Sequence, residues 1–540
     1  MDLYAQCFED PLHRIFIPAV RIVAENGGLN TGCLVGNRTL RGFVSSDFPV
    51  CRMDAGSWLV LDYGRELSGG VRLVTSGGMT ECRIRLRFGE SVSEAIGQPD
   101  MDHAIHDIDL PLRGYSSVDF GDTGFRFVRL DVVSGTLLLH NAIAHVEFRQ
   151  LEQIGTFRSS DDLLNRIFDT CVHTIRLNIQ ECILDGVKRD RLLWGGDMHP
   201  ETAVILRVFG EISEIGATLE QLCFHTHGEF VNGHVENPMW LLWTIHDLWL
   251  HGGRRNQLER LAPFVTATVE RCLAMVGEDG AVEFPGSIFL DWRSCAEHVA
   301  VHAGVFGLLV IALDRARVLY RELQLDTTRL DRALALLRRH VPEHGGNKGA
   351  AALQHLAGLA DRRAVLDKEP LKGFGTFLGH YVILAKENRA ALETVRGFWG
   401  GMLDMGATSF WEDFDLEWLK ENPCRIDEMP AAGRKDIHAD FGAYCYKGLR
   451  HSLCHGWSAG PAAWCSRRIL GVDPLRPGFS ALRFAPDLCG LEYVEGSVPT
   501  PHGAVRVRLE AGRPPEISAP AGIEVVWDPN SSLSGGNKPN

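Results

Sequence analysis

The hydrophobic residues of this chain repeat with different periods in successive regions, and this constrains the fold more than any other feature. Up to about residue 150, apolar and polar residues alternate, as in CRIRLRFGES at 82–91 and FRFVRLDVV at 125–133. A period of two is typical of β-strands with one buried face. Glycine-rich turns such as LSGGV punctuate the region. The first part of the chain is therefore predicted to be a β-sandwich.

After Gly155 the period becomes that of an α-helix. In SSDDLLNRIFDTC at 159–171 the apolar residues recur three and four positions apart, and Ser159 or Ser160 is the predicted N-cap. This many helices with loops of unequal length favour an α/α toroid, since no solenoid repeat is visible. The other helices are predicted at about 200–222, 239–251, 255–276, 296–323, 327–341, 350–362, 376–387, 389–402, 440–451 and 457–470.

Strand-like alternation returns from about residue 475, as in GAVRVRLEA at 503–511. The predicted fold class is multidomain, with a central all-α (α/α)6 toroid of six hairpins flanked by N-terminal and C-terminal antiparallel β-sandwich domains. The predicted limits are an N-terminal β-sandwich region at 1–154, a catalytic barrel at 155–470, a C-terminal β-domain at 471–528 and a disordered polar tail at 529–540.

Composition narrows the class of protein. The 540 residues carry a net charge of −14 and have no Lys/Arg-rich run, which argues against a nucleic-acid partner. The 14 cysteines are scattered without a CxxC pair, and Cys171, Cys182 and Cys272 lie in apolar, helix-like patterns. The first residues lack a signal-peptide pattern and no apolar run reaches the length of a membrane span. We therefore expect a cytoplasmic protein with no membrane partner. A homodimer stays open.

The stretch DGVKRDRLLWGGD at 185–197 combines charges with a tryptophan and two glycines. A salt-bridge network on the surface would explain the charges alone. Trp194 beside Gly195 and Gly196 favours another interpretation, because an aromatic face next to carboxylates is a common way to hold a sugar. Asp185 and Asp197 stand at the two ends of this stretch.

A second acid-rich stretch, MGATSFWEDFDLEW at 405–418, surrounds Glu412 with aromatic residues. Desolvation by such neighbours raises the pKa of a carboxyl group, as a general acid or base near neutral pH requires. An amphipathic turn with its aromatic residues in the core and its acids in water is the structural alternative.

Three weaker stretches repeat the pairing of a tryptophan with a polar or acidic group. In a ring of helices, loops after different helices converge on one mouth, and glycoside hydrolysis needs two carboxylates and sugar-gripping groups at one place. The stretches are SLCHGWSAGPAAW at 452–464 with His455 and Trp457, FLDWRS at 289–294 with Asp291 and Trp292, and HVENPMWLLW at 234–243 with Glu236 and Trp240.

In this order along the chain, the stretches resemble the α-L-rhamnosidases of glycoside hydrolase family 78. DGVKRDRLLWGGD resembles the acid loop of that family, FWEDFD its W-E-x-x-D base segment, SLCHGWSAGP its late His-Gly loop and FLDW its Asp-Trp motif. LDYGRELSGGVRL and RIRLRFGES resemble its β-domain. The resemblance covers about residues 55–515 and implies removal of terminal α-L-rhamnose from small rhamnosides with inversion, without a metal or cofactor.

The resemblance also implies roles for individual residues. Asp190 would be the general acid and Glu412 the general base that activates water. The remaining predicted residues would bind the sugar: Asp185, Arg189, Trp194, Asp197, Glu236, Trp240, Asp291, Trp292, His455 and Trp457.

The acid loop departs from the family pattern. Many members have Glu at the acid position in a loop one residue longer, whereas this chain has Arg189-Asp190-Arg191. The Asp carboxyl is one methylene shorter than that of Glu, so a backbone shift is needed to bring it to the same place. Asp185 and Asp197 are the other candidates for the acid.

Other functions stay open at this stage. Another terminal sugar on the same scaffold is one alternative. A polysaccharide lyase is disfavoured because it needs a Tyr or His base and cations for a uronate, whereas the clustered loops are acid-rich and the chain has only 8 tyrosines. A non-catalytic carbohydrate-binding protein would need neither Asp190 nor Glu412.

Overall fold

The computed structural model describes residues 11–42, 49–77, 81–97, 107–225, 230–529 and 531. Its N-terminal part is a sheet of seven strands in the order β1-β7-β3-β6-β4-β5, with β2 beside β3. The alternation at 82–91 is confirmed, because Cys82, Ile84, Leu86 and Phe88 of β4 are all buried in the core of this sheet. The strands are β1 His13–Ile17, β2 Arg21–Leu29, β3 Cys51–Thr75, β4 Cys82–Gly89, β5 Asp107–Leu112, β6 Ser117–Ser134 and β7 Thr136–Phe148, and the short helix α1 Val92–Ile96 follows β4.

The central part is helical. Helices α3, α5, α7, α9, α11 and α13 each contact the next in this series, and α13 contacts α3, so we call these six the inner helices. Most of the other six, which we call the outer helices, contact a member of this series, as α6 does with α5 and α7. The helices are α2 Asp162–Asn178, α3 Met198–Val208, α4 Ser213–Phe224, α5 Asn237–Gly252, α6 Arg255–Ala274, α7 His298–Glu322, α8 Thr328–Leu337, α9 Lys348–Leu356, α10 Arg363–Asp367, α11 Thr376–Ala385, α12 Asn388–Asp404 and α13 Gly460–Trp464.

Several predicted helix limits are wrong. The N-cap of α2 is Asp161, whose side chain accepts a hydrogen bond from the Leu164 N–H, rather than Ser159 or Ser160. The predicted helix at 200–222 is two helices, since Gly210 between them has a φ of +84°, a left-handed conformation that suits glycine. The predicted helix at 350–362 ends at Leu356.

The predicted helix at 440–451 is wrong. The described chain has only a 3₁₀ turn there, Gly448–Arg450. The segment instead supplies Tyr446 and Arg450 to a cavity lining. By contrast, the helix predicted at 457–470 is formed as a 3₁₀ turn, α13 and a π-helical turn in succession.

Helix α7 is long and apolar enough to cross a membrane, with a mean hydropathy of 1.7 in its most apolar window. The expectation that no segment reaches that length is therefore wrong. In the structure 78% of that window is buried against the rest of the protein, and α7 packs between α5 and α9 among the inner helices.

The C-terminal part forms two small sheets, β14-β10-β9 and β13-β12-β11-β8. The expectation of purely antiparallel strands is wrong at one pair in each of the two β parts, because β10 and β14 run parallel here and β3 and β7 run parallel in the N-terminal sheet. Strand β8 comes before the first helix of the helical part, yet it pairs with β11. The predicted tail lies almost wholly outside the described residues. The strands are β8 Thr156–Ser159, β9 Val472–Arg476, β10 Ala481–Phe484, β11 Tyr493–Thr500, β12 Gly503–Glu510, β13 Glu516–Ser518 and β14 Glu524–Trp527.

Among the described residues every cysteine is a free thiol, and none forms a disulfide. Cys171 and Cys272 are buried on helices, as predicted. Cys182 is not on a helix, since α2 ends at Asn178, and it is only partly buried.

Candidate active site

The loops that precede four of the six inner helices, together with the first turn of a fifth, line one cavity of about 280 Å³. Asp197 and Glu236 occupy the N-cap positions of α3 and α5, and Trp292 and Trp457 precede α7 and α13. Phe377 is at the start of α11. The N-terminal ends of these helices therefore meet at one place, where their partial positive charge favours carboxylates.

All of the residues predicted from the sequence to form the site line this cavity. The first and the last of them, Asp185 and Trp457, are more than 270 positions apart along the chain, so the tertiary fold brings them together. They are Asp185, Arg189, Asp190, Trp194, Asp197, Glu236, Trp240, Asp291, Trp292, Glu412, His455 and Trp457.

The sequence did not indicate some of the lining residues. Most are neighbours of predicted ones, so the same stretches could have suggested them. The others, on α11 and in the segment around Tyr446, follow no acid–tryptophan pattern. The missed residues are Gly196, His234, Asn237, Phe289, Leu290, Phe377, Cys445, Tyr446 and Arg450.

Arg189 connects the two predicted catalytic carboxylates. One terminal nitrogen, Nη2, donates to Glu412 Oε1 at 2.6 Å, and the other contacts the Asp190 carboxylate. The Nε–H donates to the backbone oxygen of Arg450 at 2.8 Å. This buried guanidinium therefore lies between the two carboxylates and orients both of them.

Glu412 is held by backbone as well as by Arg189. The Ser452 N–H donates to its Oε2 at 3.1 Å, and the Trp457 Nε1–H donates to its backbone oxygen at 3.0 Å. The late His-Gly loop therefore orients the predicted base both at its side chain and at its main chain.

Asp190 is the most exposed carboxylate in this group, with 29% of its side chain accessible, against 5% for Glu412. Its φ is +61° and that of Arg191 is +50°. Two successive residues in the left-handed region turn the shortened loop sharply, and Asp tolerates this conformation better than most residues. The turn places the Asp190 carboxylate at the rim of the cavity.

Asp185, Asp197 and His455 form a buried group below the rim. His455 Nε2 lies 3.1 Å from Asp197 Oδ1, and Asp185 Oδ1 accepts the N–H groups of Gly186 at 2.8 Å and Leu192 at 2.9 Å. Burial raises the pKa of Asp185 to about 7, and the charge of Asp197 adds to this while His455 opposes it. A proton is therefore available on Asp185 near neutral pH.

The ionisation of His455 is shaped by these acids. Burial acts to lower the pKa of His455, but the hydrogen bond to Asp197 and the charges of Glu412, Asp197 and Asp185 outweigh it and raise that pKa above its usual value. Burial raises the pKa of Asp197, although its bond to His455 acts in the opposite direction.

Asp291 is a second buried carboxyl whose pKa is raised. Burial and the charge of Asp413 raise the pKa of Asp291 to about 6, against the opposing charge of Arg293. Arg293 Nε donates to Asp413 Oδ1 at 2.8 Å and so ties the Asp-Trp segment to the base segment.

The tryptophans of the cavity have different positions. Trp292 is 40% exposed at the mouth and packs edge-on against Phe289, with ring centres 5.1 Å apart. Trp240 is buried and packs against Tyr381 at 4.9 Å, so it forms the floor. Trp457 lies between them against Phe377, at 5.1 Å. Such faces suit the apolar side of a sugar ring.

Glu236 is less available than the other acids of the site. Its Oε1 lies 3.1 Å from His234 Nδ1, and its Oε2 accepts the Phe289 N–H at 3.3 Å. The carboxylate therefore contacts its own loop at one oxygen and the loop before α7 at the other, and its interaction with His234 raises the pKa of that histidine.

Lys188 belongs to the acid loop but was not predicted to matter. It is buried, and its Nζ lies 3.2 Å from Glu90 and 3.0 Å from Glu94 of the N-terminal part. Glu90 in turn accepts the Leu453 N–H at 2.6 Å. The N-terminal sheet therefore supports both the acid loop and the late His-Gly loop.

The same cluster is the place where the described residues could hold a metal ion. Glu90, Glu94 and His438 bring ligand atoms within 4.8 Å of one another. The Lys188 ammonium already contacts both carboxylates and supplies the positive charge that a metal would supply.

We expect Lys188→Met to destabilise the protein by about 3–5 kcal/mol, because Glu90 and Glu94 would remain buried without their cation. The loss should be visible as a lower midpoint of urea unfolding. Adding Glu90→Gln to Lys188→Met should recover part of it, since one uncompensated charge is removed. Equal stability of the Met variant and wild type would contradict this role.

The raised pKa of Asp185 makes folding stability depend on pH. The folded carboxyl binds a proton more tightly than the unfolded one, so this group lowers the stability as pH rises from about 4 through about 7. From pH 5 to pH 8 we expect the free energy of unfolding of Asp185→Asn to rise by on the order of 2 kcal/mol relative to that of wild type. Unfolding free energies of both proteins at the two pH values test this, and parallel pH profiles would rule it out.

Two protein-family models match the chain. Residues 152–226 match the bacterial alpha-L-rhamnosidase 6 hairpin glycosidase domain, and residues 471–515 match the bacterial alpha-L-rhamnosidase C-terminal domain. The chain is related to the bacterial α-L-rhamnosidases. The predicted resemblance to the α-L-rhamnosidases is thereby confirmed.

Individual relatives agree with this relationship. An α-L-rhamnosidase of Alteromonas sp. (strain LOR) is 22% identical over 509 residues, which cover 83% of this chain and 53% of that protein. The family 78 rhamnosidase of Bacillus sp. GL1 has a similar structure, with a TM-score of 0.71, 22% identity and coverage of 91% of this chain and 54% of the other. The chain thus spans about half the length of these two rhamnosidases.

A shorter rhamnosidase is similar over nearly its whole length. The Klebsiella oxytoca enzyme, solved with rhamnose bound, has a TM-score of 0.67 and 20% identity, and the match covers 84% of this chain and 96% of that one. The fold of the rhamnosidases, helices together with β-sheets, is therefore the fold of this chain.

Proposed function

We propose that this chain is an inverting glycoside hydrolase that removes terminal non-reducing α-L-rhamnose from small rhamnosides or oligosaccharides. The observation that carries the proposal is the convergence of twelve predicted residues, acids and tryptophans among them, on one cavity. The relationship to the bacterial α-L-rhamnosidases supports the choice of sugar.

The architecture belongs to the same proposal. We infer that the six inner and six outer helices form an (α/α)6 toroid, which would explain why the series of contacts returns from α13 to α3. The strands on either side would then be β-sandwich domains that frame the toroid, and the N-terminal one would also buttress the acid loop through Lys188.

Glu412 is assigned as the general base. A base must lie where it can take a proton from water, and the Arg189 guanidinium donates to the Glu412 carboxylate and holds it in place. The Ser452 N–H fixes the second oxygen, so the carboxylate is held in one orientation.

Asp190 is assigned as the general acid. The group that protonates the leaving oxygen must lie toward the opening, where the aglycone leaves, and Asp190 is at the rim while Asp185 and Asp197 are buried. Arg189 contacts its carboxylate, so the acid role requires that bound substrate loosens this contact.

Asp185 and Asp291 are the alternative acids, because burial raises the pKa of Asp185 to about 7 and that of Asp291 to about 6. A proton on a buried carboxyl is useful only if the leaving oxygen comes within hydrogen-bond distance of it. Otherwise these two carboxyls bind sugar hydroxyls, which is the role assigned to them here together with Asp197 and His455.

The proposal is tested by a panel of nitrophenyl glycosides that includes α-L-rhamnoside, β-D-glucoside and α-L-arabinoside. Hydrolysis of the rhamnoside with at least a hundredfold higher kcat/KM than the others supports the assigned sugar. Preference for another member would keep the mechanism and overturn the sugar. Absorbance of an unsaturated product from a uronate polymer would instead indicate a lyase.

The stereochemical outcome is tested separately. An inverting enzyme activates water on the face opposite the leaving group, so the first sugar formed from the α-rhamnoside should be the β-anomer. Proton NMR within the first minutes of the reaction shows which anomer appears first. Initial release of α-rhamnose would contradict a water-activating role for Glu412.

A further inference from the structure

A second cavity lies on the far side of the aromatic floor of the candidate active site. Trp240 lines the first cavity, and Trp243, whose ring stacks on that of Trp240 at 6.0 Å, lines the second. The second cavity has a volume of about 360 Å³, larger than the first. None of the described residues lines both cavities.

The lining of the second cavity is positively charged. Arg207, Arg315, Arg467 and Arg483 line it, against two acids, Asp247 and Asp473. These six are the charged residues of the described lining apart from its histidines. Four fixed cations and two anions leave an excess of positive charge in a partly enclosed space, which attracts an anion.

The acids do not neutralise the arginines one by one. Asp473 is shared by three of them, with contacts of 2.8 Å to Arg207, 3.0 Å to Arg467 and 3.3 Å to Arg483. Asp247 is directed toward histidines instead, at 2.8 Å from His246 Nδ1 and 3.6 Å from His199 Nε2. Arg483 also contacts Asp528 at 3.3 Å, and Arg315 lies 3.9 Å from Asp314, whereas the ion pairs of Arg207 and Arg467 within the described residues are both with Asp473.

Hydrogen-bonding groups in this lining lack partners within the described part of the chain. His380 is 2% exposed, and neither of its ring nitrogens has a hydrogen-bond partner there. The Nε–H groups of Arg315 and Arg467 are also buried without a partner there. Buried polar groups are normally paired, so a donor set left open around a cavity indicates a ligand that completes it.

We propose that this second cavity binds a small organic anion through a phosphate or carboxylate group. The planar guanidinium groups of Arg315 and Arg467 can each give two parallel hydrogen bonds to such a group. His380 supplies a further donor, and Arg207 and Arg483 hold Asp473 away from the ligand. The partly exposed side chains of Arg483 and Leu475 mark the opening.

The proposal is independent of the proposed glycosidase function, because it concerns different residues and is tested by binding alone. The experiment is isothermal titration calorimetry of the full chain with inorganic phosphate and, separately, with succinate, at constant ionic strength in chloride. We expect saturable binding of at least one of them at a single site. Phosphate binding alone would assign a phosphate group, and succinate binding alone a carboxylate.

Three variants make the result specific. Arg315→Gln and Arg467→Gln should each weaken binding at least tenfold. Arg317→Gln is the matched control: Arg317 is two residues further along α7, pairs with Asp314 at 2.7 Å and does not line the cavity, so its affinity should equal that of wild type. Circular dichroism melting shows whether each variant is folded. If Arg467→Gln does not fold, Arg315→Gln alone decides the test.

Three outcomes would overturn the proposal. The first is no saturable binding of either anion to wild type. The second is wild-type affinity in folded Arg315→Gln, and the third is an equal loss of affinity in Arg317→Gln, which would indicate a general effect of surface charge.

Discussion

Replacing Glu412 by Gln is expected to lower kcat for nitrophenyl α-L-rhamnoside by about 10²–10⁴-fold, with a much smaller change in KM. Gln keeps the size and the hydrogen bonds to the Ser452 N–H but cannot accept a proton from water. The loss should be the same for good and poor leaving groups, because the base acts on water and not on the aglycone.

Glu417→Gln is the matched control for this variant. Glu417 lies five residues further along the same acid-rich segment, but it is half-exposed and pairs with Lys420. We expect wild-type kcat from it. If Glu412→Gln retained wild-type kcat, or if both variants lost it equally, Glu412 would not be the base.

Replacing Asp190 by Asn is expected to lower the rate on poor leaving groups by about 10²–10⁴-fold and to leave the rate on activated aglycones nearly unchanged. A dinitrophenyl leaving group departs without a proton, whereas a sugar or alkyl aglycone needs one from the acid. The measurement is kcat/KM for a series of rhamnosides ordered by the pKa of the aglycone.

Asp185→Asn and Asp291→Asn provide the comparison for the acid. If Asp190 is the acid, these two variants should lose activity equally along the series, since they would weaken sugar binding. If kcat/KM depended steeply on the leaving group in Asp185→Asn or Asp291→Asn and not in Asp190→Asn, the acid role would belong to the residue changed in that variant. The rest of the mechanism would stand.

Arg189 connects these two experiments. Because its guanidinium contacts both Asp190 and Glu412, removing either carboxylate frees it to pair more closely with the other. The double variant Asp190→Asn/Glu412→Gln should therefore lose less than the product of the single losses, as expected for residues that share one partner.

The order of the strand and helical regions could be predicted from the sequence, because the hydrophobic period reports directly on local structure. The alternation in β4 and the helical stripe of α2 both gave the correct element and the correct buried face. Helix limits were less predictable. The break at Gly210 and the cap at Asp161 each depend on one residue, and glycine and aspartate also occur in many other local structures.

The candidate site could also be located from the sequence, since each acid–tryptophan pair lies in a short stretch with an unusual composition. Its internal contacts could not. Arg189 and Glu412 are 223 positions apart, and nothing local indicates that they meet. Lys188 looked like one more surface charge, whereas its partners Glu90 and Glu94 belong to the N-terminal part.

The sequence by itself determined which segments become strands and helices and which loops carry acids beside aromatic rings, because both properties are local. Only the tertiary structure decided which charges pair. The segment around Tyr446 shows the same division: its pattern predicted a helix, yet it is non-helical and lines the cavity. Pairing of buried charges depends on the relative position of distant elements, which no local pattern in the sequence reports.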